Sequence, residues 1–296
     1  MILVAGGTGT LGTRVVRAIT AHGTPVRVLT RNADRAGHLT HDGVEVHVGD
    51  VRDAAAVDQA MRGITTVVSA VQGFAGVEPV GVKAVDLQGN DNLVRAAVAA
   101  GTRRFVLVSA AGAAARSPLE LRRVKYQAEQ VVVRSGLDWT ILRPTAYLET
   151  WIGILGGMIA AKGSVTVFGR GGNPINFVST DDVAALVERV TRSPDLSGAV
   201  LEIGGPEDLT LNDFARTLLT RHQAGGPIRH IPVPVLRAAA TLMRPTKPLI
   251  AALIQLGVVM ETSDMTLPGD TARATVPDLP VTRLTDLLAS GVEKTP

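Results

Sequence analysis

The chain has 296 residues, 46% hydrophobic and 19% charged, which supplies a large core and argues against disorder. Aromatic residues are only 3%, so the core is aliphatic, and the lack of cysteine excludes disulfides, thiolate metal sites and cysteine nucleophiles. A net charge of +3 with scattered arginines argues against nucleic acid as a partner.

In chain order, apolar β-branched runs at residues 1–5, 25–30, 44–48, 65–70, 104–109 and 139–143 read as strands. Between them, helical spacing covers residues 10–22, 33–39, 54–61, 83–100 and 119–134; in the first, Leu11, Val15, Ala18 and Ile19 share a face and Gly23 supplies the stop. Strand then helix, five times over, implies right-handed crossovers and a parallel sheet. After Pro144 the rhythm changes. Residues 151–161 are apolar and glycine-bearing, 165–168 and 176–178 are short extended pieces, and 181–191 form a helix capped by Thr180 or Asp181. A further strand falls at 199–203 and a helix at 211–221; prolines and small residues recur over 227–246, and a helical apolar stretch follows.

The expected fold is α/β: a Rossmann-type doubly wound parallel sheet with helices on both faces and a smaller, mostly helical C-terminal substrate region. Residues 1–150 are expected to bind the cofactor, and residues 151–296 to form a substrate region packed on the same sheet. A soluble cytoplasmic protein is expected. No basic segment precedes the opening strand, and the longest apolar run, 249–260, contains Gln255 and is too short to span a bilayer.

Gly6, Gly7, Thr8, Gly9, Thr10, Leu11 and Gly12 lie between the first strand and the first helix and satisfy both G-x-x-G-x-x-G and G-x-G-x-x-G. Glycine lets backbone approach a pyrophosphate, and the helix N-terminus adds free N–H groups and a positive dipole. The second strand carries no acid before Asp34, where an NAD site usually holds a carboxylate. Arg31 stands there instead, with Arg35 nearby, placed to clamp a 2′-phosphate; the alternative is a solvated loop arginine. NADPH (NADP) is therefore the expected cofactor. Asp50 and Val51 follow the third strand and Ser69 and Ala70 end the fourth, both positions where such sheets hold ligands.

With these motifs in view, the sequence resembles the atypical short-chain dehydrogenase/reductases of the NmrA-like and isoflavone-reductase-like group. The likeness runs over most of residues 1–210, through GGTGTLG, VRVLTRN, GDVRD, DLQGNDNLVRAAVAAGTRRFVLVS, SGLDWTILRPTAYLE and FVSTDDVAALV. It implies a reductase in which Ser109 and Lys125 are catalytic and Lys125 also binds the nicotinamide ribose, with Pro144 beside the cofactor. Arg122, Tyr147 and Trp151 are the expected substrate contacts. The commoner enzymes of this kind place tyrosine four residues before the lysine. Here that position is Leu121, and Tyr126 lies about 100° around the helix from Lys125. Each assignment has a plain alternative: Lys125 as a surface lysine, Ser109 as a strand-end cap, Tyr147 as core.

Other chemistries lack their motifs. His38 and His41 have no third metal ligand, there is no G-x-S-x-G, and Asp181 and Asp182 read as helix capping. The leading reading is an NADPH-dependent reductase of a ketone, quinone or enone on a hydrophobic, polycyclic or aromatic substrate, with the proton from water, Ser109 or a substrate hydroxyl. The alternative is an NADP(H)-binding redox-sensing regulator with little or no turnover; a nucleotide-sugar epimerase or dehydratase ranks last because it needs the missing tyrosine. The expected partner is a small hydrophobic carbonyl or quinone, with neither nucleic acid nor membrane, acting on a monomer or homodimer.

Overall fold

Ile2 to Ala5, four apolar residues without polar alternation, form β1 (Ile2–Ala5), and all four are buried because neighbouring strands and helices cover both faces. The computed structural model describes residues 1–40, 43–73 and 81–291. After β1 come α1 (Thr10–Thr20), β2 (Val26–Thr30), β3 (Val44–Val48), α2 (Ala54–Ala60) and β4 (Thr66–Ser69). Then follow α3 (Asn90–Ala99), β5 (Arg104–Val108), α4 (Glu120–Val133) and β6 (Asp138–Pro144). The predicted strands match within one or two residues.

Two predicted helices differ: the segment expected at 33–39 forms a 3-10 turn over Asp34–Leu39. The spacing expects a single helix over 83–100, but the structure opens it with a π-helical turn at Lys83–Gly89 before α3. Asn90 Nδ2 donates 2.7 Å to the Asp86 carbonyl, the acceptor an α-helix would offer to the Asn90 amide. One side-chain bond thus reaches that carbonyl within a widened turn of the kind frequent at functional positions.

Beyond Pro144 come β7 (Ala146–Tyr147), α5 (Leu148–Lys162), β8 (Val165–Phe168), β9 (Ile175–Val178), α6 (Thr180–Arg192), β10 (Ala199–Ile203) and β11 (Asp208–Leu209). They are followed by α7 (Leu211–Arg221), β12 (Ile228–Ile231), α8 (Val233–Met243), α9 (Pro248–Thr262), α10 (Thr271–Thr275) and α11 (Leu284–Ala289). The proline-bearing segment thus holds a strand and a helix. Pro232 caps α8 and Pro234 sits in its first turn, where a missing N–H costs nothing.

The chain forms two compact units. The first comprises residues 1–144, 180–203 and 270–280, and the second residues 145–179, 204–269 and 281 onward. The first unit is built on a seven-stranded sheet, order β10-β6-β5-β4-β1-β2-β3, with every pairing parallel. The chain builds outward from β1 in one direction through β2 and β3, and in the other through β4. That reversal opens a crevice at the C-terminal ends of β1 and β4, the place where ligands bind in doubly wound sheets. Residues 180–203 join this unit through β10 at the sheet edge and through α6, whose Asp181 pairs with Arg14 of α1 at 2.8 Å.

The second unit has a three-stranded sheet, β11-β9-β7, and a parallel β12–β8 pair. Its core holds the rings of Trp151, Phe177 and Phe214, packed edge to face at centroid distances of 6.3 and 5.2 Å. No helix among the described residues is long and apolar enough to cross a membrane.

Candidate cofactor and catalytic site

The glycine turn is shaped by close approach. Gly6 has φ +83°, in the left-handed region, and a Cβ there would stand 2.7 Å from the Ala70 carbonyl oxygen at the end of β4. A Cβ on Gly12 would stand 2.0 Å from the Gly6 carbonyl oxygen, so only glycine lets the turn fold back over the first turn of α1. At that end the N-cap, Gly9, offers no side-chain acceptor, and no acid lies in the first turn. The amides and positive dipole of α1 are left for an outside anion, and a dinucleotide pyrophosphate fits the cradle.

Arg31 is exposed directly beyond β2, and Arg35 is exposed on the 3-10 turn Asp34–Leu39. No carboxylate ends β2. Thr30 is buried, and its hydroxyl bonds the Asn32 carbonyl at 3.1 Å. Asp50, after β3, is held by Arg52 through Nε at 3.0 Å and Nη2 at 2.6 Å. Those bonds hold its carboxyl below the usual carboxylate range, and the charge of Arg31 acts in the same direction. Asp50 therefore offers an adenine only the acceptor capacity that Arg52 leaves. Val51 is buried, its side chain within 2.7 Å of where a Cβ on Gly89 would lie.

At the ends of β4 and β5 the side chains face inward to one another. Ser69 is fully buried and donates 2.6 Å to Asn90 Oδ1. Lys125 is also buried, four residues beyond Leu121 on α4, and its ammonium lies 2.8 Å from Asp86 Oδ1. It donates to the carbonyls of Val71 at 3.0 Å and Val108 at 3.1 Å, while Asp86 Oδ2 accepts the Gly73 amide at 2.8 Å. The ammonium thus makes two hydrogen bonds and an ion pair, while Asp86 Oδ1 is buried with no hydrogen bond of its own. Asp86 and Asn90 were not singled out from the sequence. Two polar residues one helical turn apart amid Val82, Val85, Leu93 and Val94 were the available signal.

Ser109, one residue past β5, donates its hydroxyl to Glu129 of α4. The Glu129 carboxylate is buried and takes Arg143 Nε at 2.9 Å and Nη2 at 2.7 Å, which in turn raises the arginine's pKa. Pro144 is buried at the end of β6, its carbonyl accepting the Ala111 amide at 2.9 Å. Arg122 lies over the same loop: a Cβ on Gly112 would stand 3.0 Å from its Cζ, and burial holds its guanidinium below the ordinary arginine range.

The remaining expected contacts lie in the second unit. Tyr147 is half-buried, and burial raises its phenol well above the usual value. Trp151 is buried in the core against Phe177, so its ring is engaged in packing. A cavity of about 630 Å³ in this unit is lined by Gly169, Arg170, His230 and Val233 among others, and by none of the expected site residues. His38 is exposed against Thr13 at 3.2 Å, and His41 lies outside the described residues. Among the described residues no cluster of His, Asp and Glu could hold a metal ion.

Comparison with known proteins gives the family and the cofactor. A family described as NAD(P)H-binding matches residues 6–194, more than half of the chain. The NAD(P)H azoreductase of Xenophilus azovorans is 29% identical over 239 residues, 80% of this chain and 79% of that protein. The Photosystem II assembly factor Ycf39 of Synechocystis sp. is 27% identical over 243 residues, 82% of this chain and 74% of that protein. The solved NADPH-dependent quinone oxidoreductase QOR2 of Escherichia coli, complexed with NADPH, shares the fold. Its TM-score is 0.79 at 23% identity, over 98% of this chain and 99% of that one. The chain belongs to the NAD(P)H-binding family, as a Rossmann-fold oxidoreductase whose cofactor is NADPH.

Proposed function

We propose that the protein reduces quinones and related conjugated aromatic acceptors, and that it belongs among the atypical NmrA-like reductases that work without a tyrosine acid. Bound NADPH supplies a hydride, and the protein has to manage the negative charge that develops on the acceptor oxygen.

The observation that carries this reading is Leu121, which stands four residues before Lys125 and has no proton to give. Lys125 does not replace the missing acid with field, because Asp86 at 2.8 Å compensates its charge. A simple ketone becomes an alkoxide about as basic as hydroxide and needs an acid or an uncompensated cation. A quinone becomes a phenolate whose conjugate acid has a pKa of about 10, so water can protonate it after the hydride arrives. One quinone, one NADPH and one proton give hydroquinone and NADP⁺. Ser109 supports this arrangement: its hydroxyl proton is directed at Glu129, so it acts as a positioning group and not as the acid. The azoreductase and quinone oxidoreductase relatives have names that fit acceptors of this electronic type.

The test is NADPH oxidation followed at the nicotinamide band with naphthoquinones, benzoquinones and simple aliphatic ketones. The expected result is quinone turnover at least about a hundredfold faster than ketone turnover, the scale of a missing general acid. Equal rates, or faster ketone reduction, would overturn the proposal. The assembly factor among the relatives favours a second reading, an NADP(H)-binding regulator with little turnover. Tight NADP(H) binding with silence across every acceptor would establish it instead.

A further inference from the structure

From residue 214 to residue 260 the sequence contains no Asp or Glu, yet it carries Arg216, Arg221, Arg229, Arg237, Arg244 and Lys247. Arg216 pairs with Asp213 at 2.8 Å, and Arg221 donates to the Leu288 carbonyl at 3.4 Å. Arg229, Arg237, Arg244 and Lys247 are exposed and make no ion pair among the described residues. What sets this segment apart is the run of 47 residues without a carboxylate. Among the described residues, exposed arginines elsewhere are paired at some places, as Arg95 with Asp91, and unpaired at others, as Arg17 and Arg62.

The same segment exposes large apolar side chains. α8 and α9 pack together as a helical hairpin joined by residues 244–247. Leu242, in the last turn of α8, is 81% exposed, and Val235 is exposed two turns earlier on the same face. Across the joint, Ile250 and Leu253 are exposed in the first turns of α9. Leucine and isoleucine therefore flank a tip that carries Arg244 and Lys247, with no carboxylate paired to either among the described residues.

We infer that the α8–α9 hairpin docks on an anionic lipid bilayer, laying Leu242 and Ile250 into the interface while Arg237, Arg244 and Lys247 meet the headgroups. Exposed apolar residues beside unpaired cations are the pattern of a segment that lies on a membrane without crossing it. A second copy of the chain fits less well, because a two-fold contact through the tip would bring identical cations face to face. The inference departs from the sequence expectation of no membrane partner, which rested on the want of a spanning segment; it stands apart from the proposed function and does not depend on turnover.

Flotation of the full-length protein with phosphatidylcholine vesicles, with and without phosphatidylglycerol, tests it. Association with the anionic vesicles is expected to exceed that with neutral ones about tenfold and to weaken as salt shortens the range of the attraction. Leu242→Asp, and separately the pair Arg244→Glu and Lys247→Glu, are expected to abolish it. NADPH affinity should be unchanged in both, since the nucleotide turn belongs to the other unit, and circular dichroism checks folding. No preference for anionic vesicles, or flotation of Leu242→Asp like the parent protein, would overturn the inference. A dimer in solution that Leu242→Asp dissociates, with no vesicle binding, would overturn it in favour of a second copy.

Discussion

At Gly12 the nucleotide cradle has less room than one methyl group, with a Cβ falling 2.0 Å from the Gly6 carbonyl oxygen and 2.7 Å from the Gly7 Cα. Neither neighbour is a flexible side-chain end, so Gly12→Ala is expected to force the turn open. Destabilisation of about 3 kcal/mol in denaturant unfolding should accompany loss of NADPH binding; a variant of parental stability and affinity would show that the turn is not built as described. Arg31 poses a separate question of selectivity. Arg31→Asp should weaken NADPH much more than NADH in calorimetric titration, because only the first carries a 2′-phosphate; equal weakening would remove Arg31 from that role. Tyr147 adds a pH signature. Burial, and then the nearby Glu149 charge, raise its folded pKa above the unfolded value near 10.0. Its contribution is therefore complete below that pH and falls away as pH rises toward the higher folded value. Tyr147→Phe is expected to flatten the alkaline limb of melting temperature against pH, and an unchanged limb would contradict the assigned shift.

Between elements, the ion pair of Lys125 on α4 with Asp86 in the π-helical turn ties the helices to the ends of β4 and β5 through the Val71 and Val108 carbonyls. A buried pair contributes little net stability over an apolar substitute, but removing one partner leaves the other uncompensated. Lys125→Met and Asp86→Asn are each expected to cost about 3–5 kcal/mol in urea unfolding. The double variant should cost clearly less than the sum, which reports direct coupling. Additive losses would mean that the two residues act separately. This pair also explains why a lysine at the expected position does not by itself announce an alkoxide-stabilising site: its field is cancelled within the protein.

For the molecule as a whole, the glycine turn and the hairpin belong to different units. NADPH should slow amide hydrogen exchange at residues 6–12, 31 and 69–71 of the first unit, because ligand binding suppresses opening of the segments that hold it. No comparable protection is expected at residues 228–243. Protection confined to the second unit would contradict the placement of the cofactor on the glycine turn. The first unit is itself discontinuous. Residues 270–280 return to it, where Arg273 reaches Asp182 of α6 at 2.8 Å and also bonds Asp270.

The sequence by itself determined the strand–turn–helix at residues 2–20, the parallel sheet and the preference for NADPH. The first two follow from local sterics and side-chain period, both written within a few tens of residues. That Leu121 stands one helical turn before Lys125 was equally legible, because helical spacing fixes it. Only the tertiary structure decided that Lys125 meets Asp86, that Ser109 donates a hydrogen bond to Glu129, and that Trp151 belongs to a core. Each depends on which distant segments the folded path brings together and how deeply it buries them, and neither is encoded in any local pattern. The same holds for Leu242, whose solvent exposure appears only once the hairpin's packing partners are known.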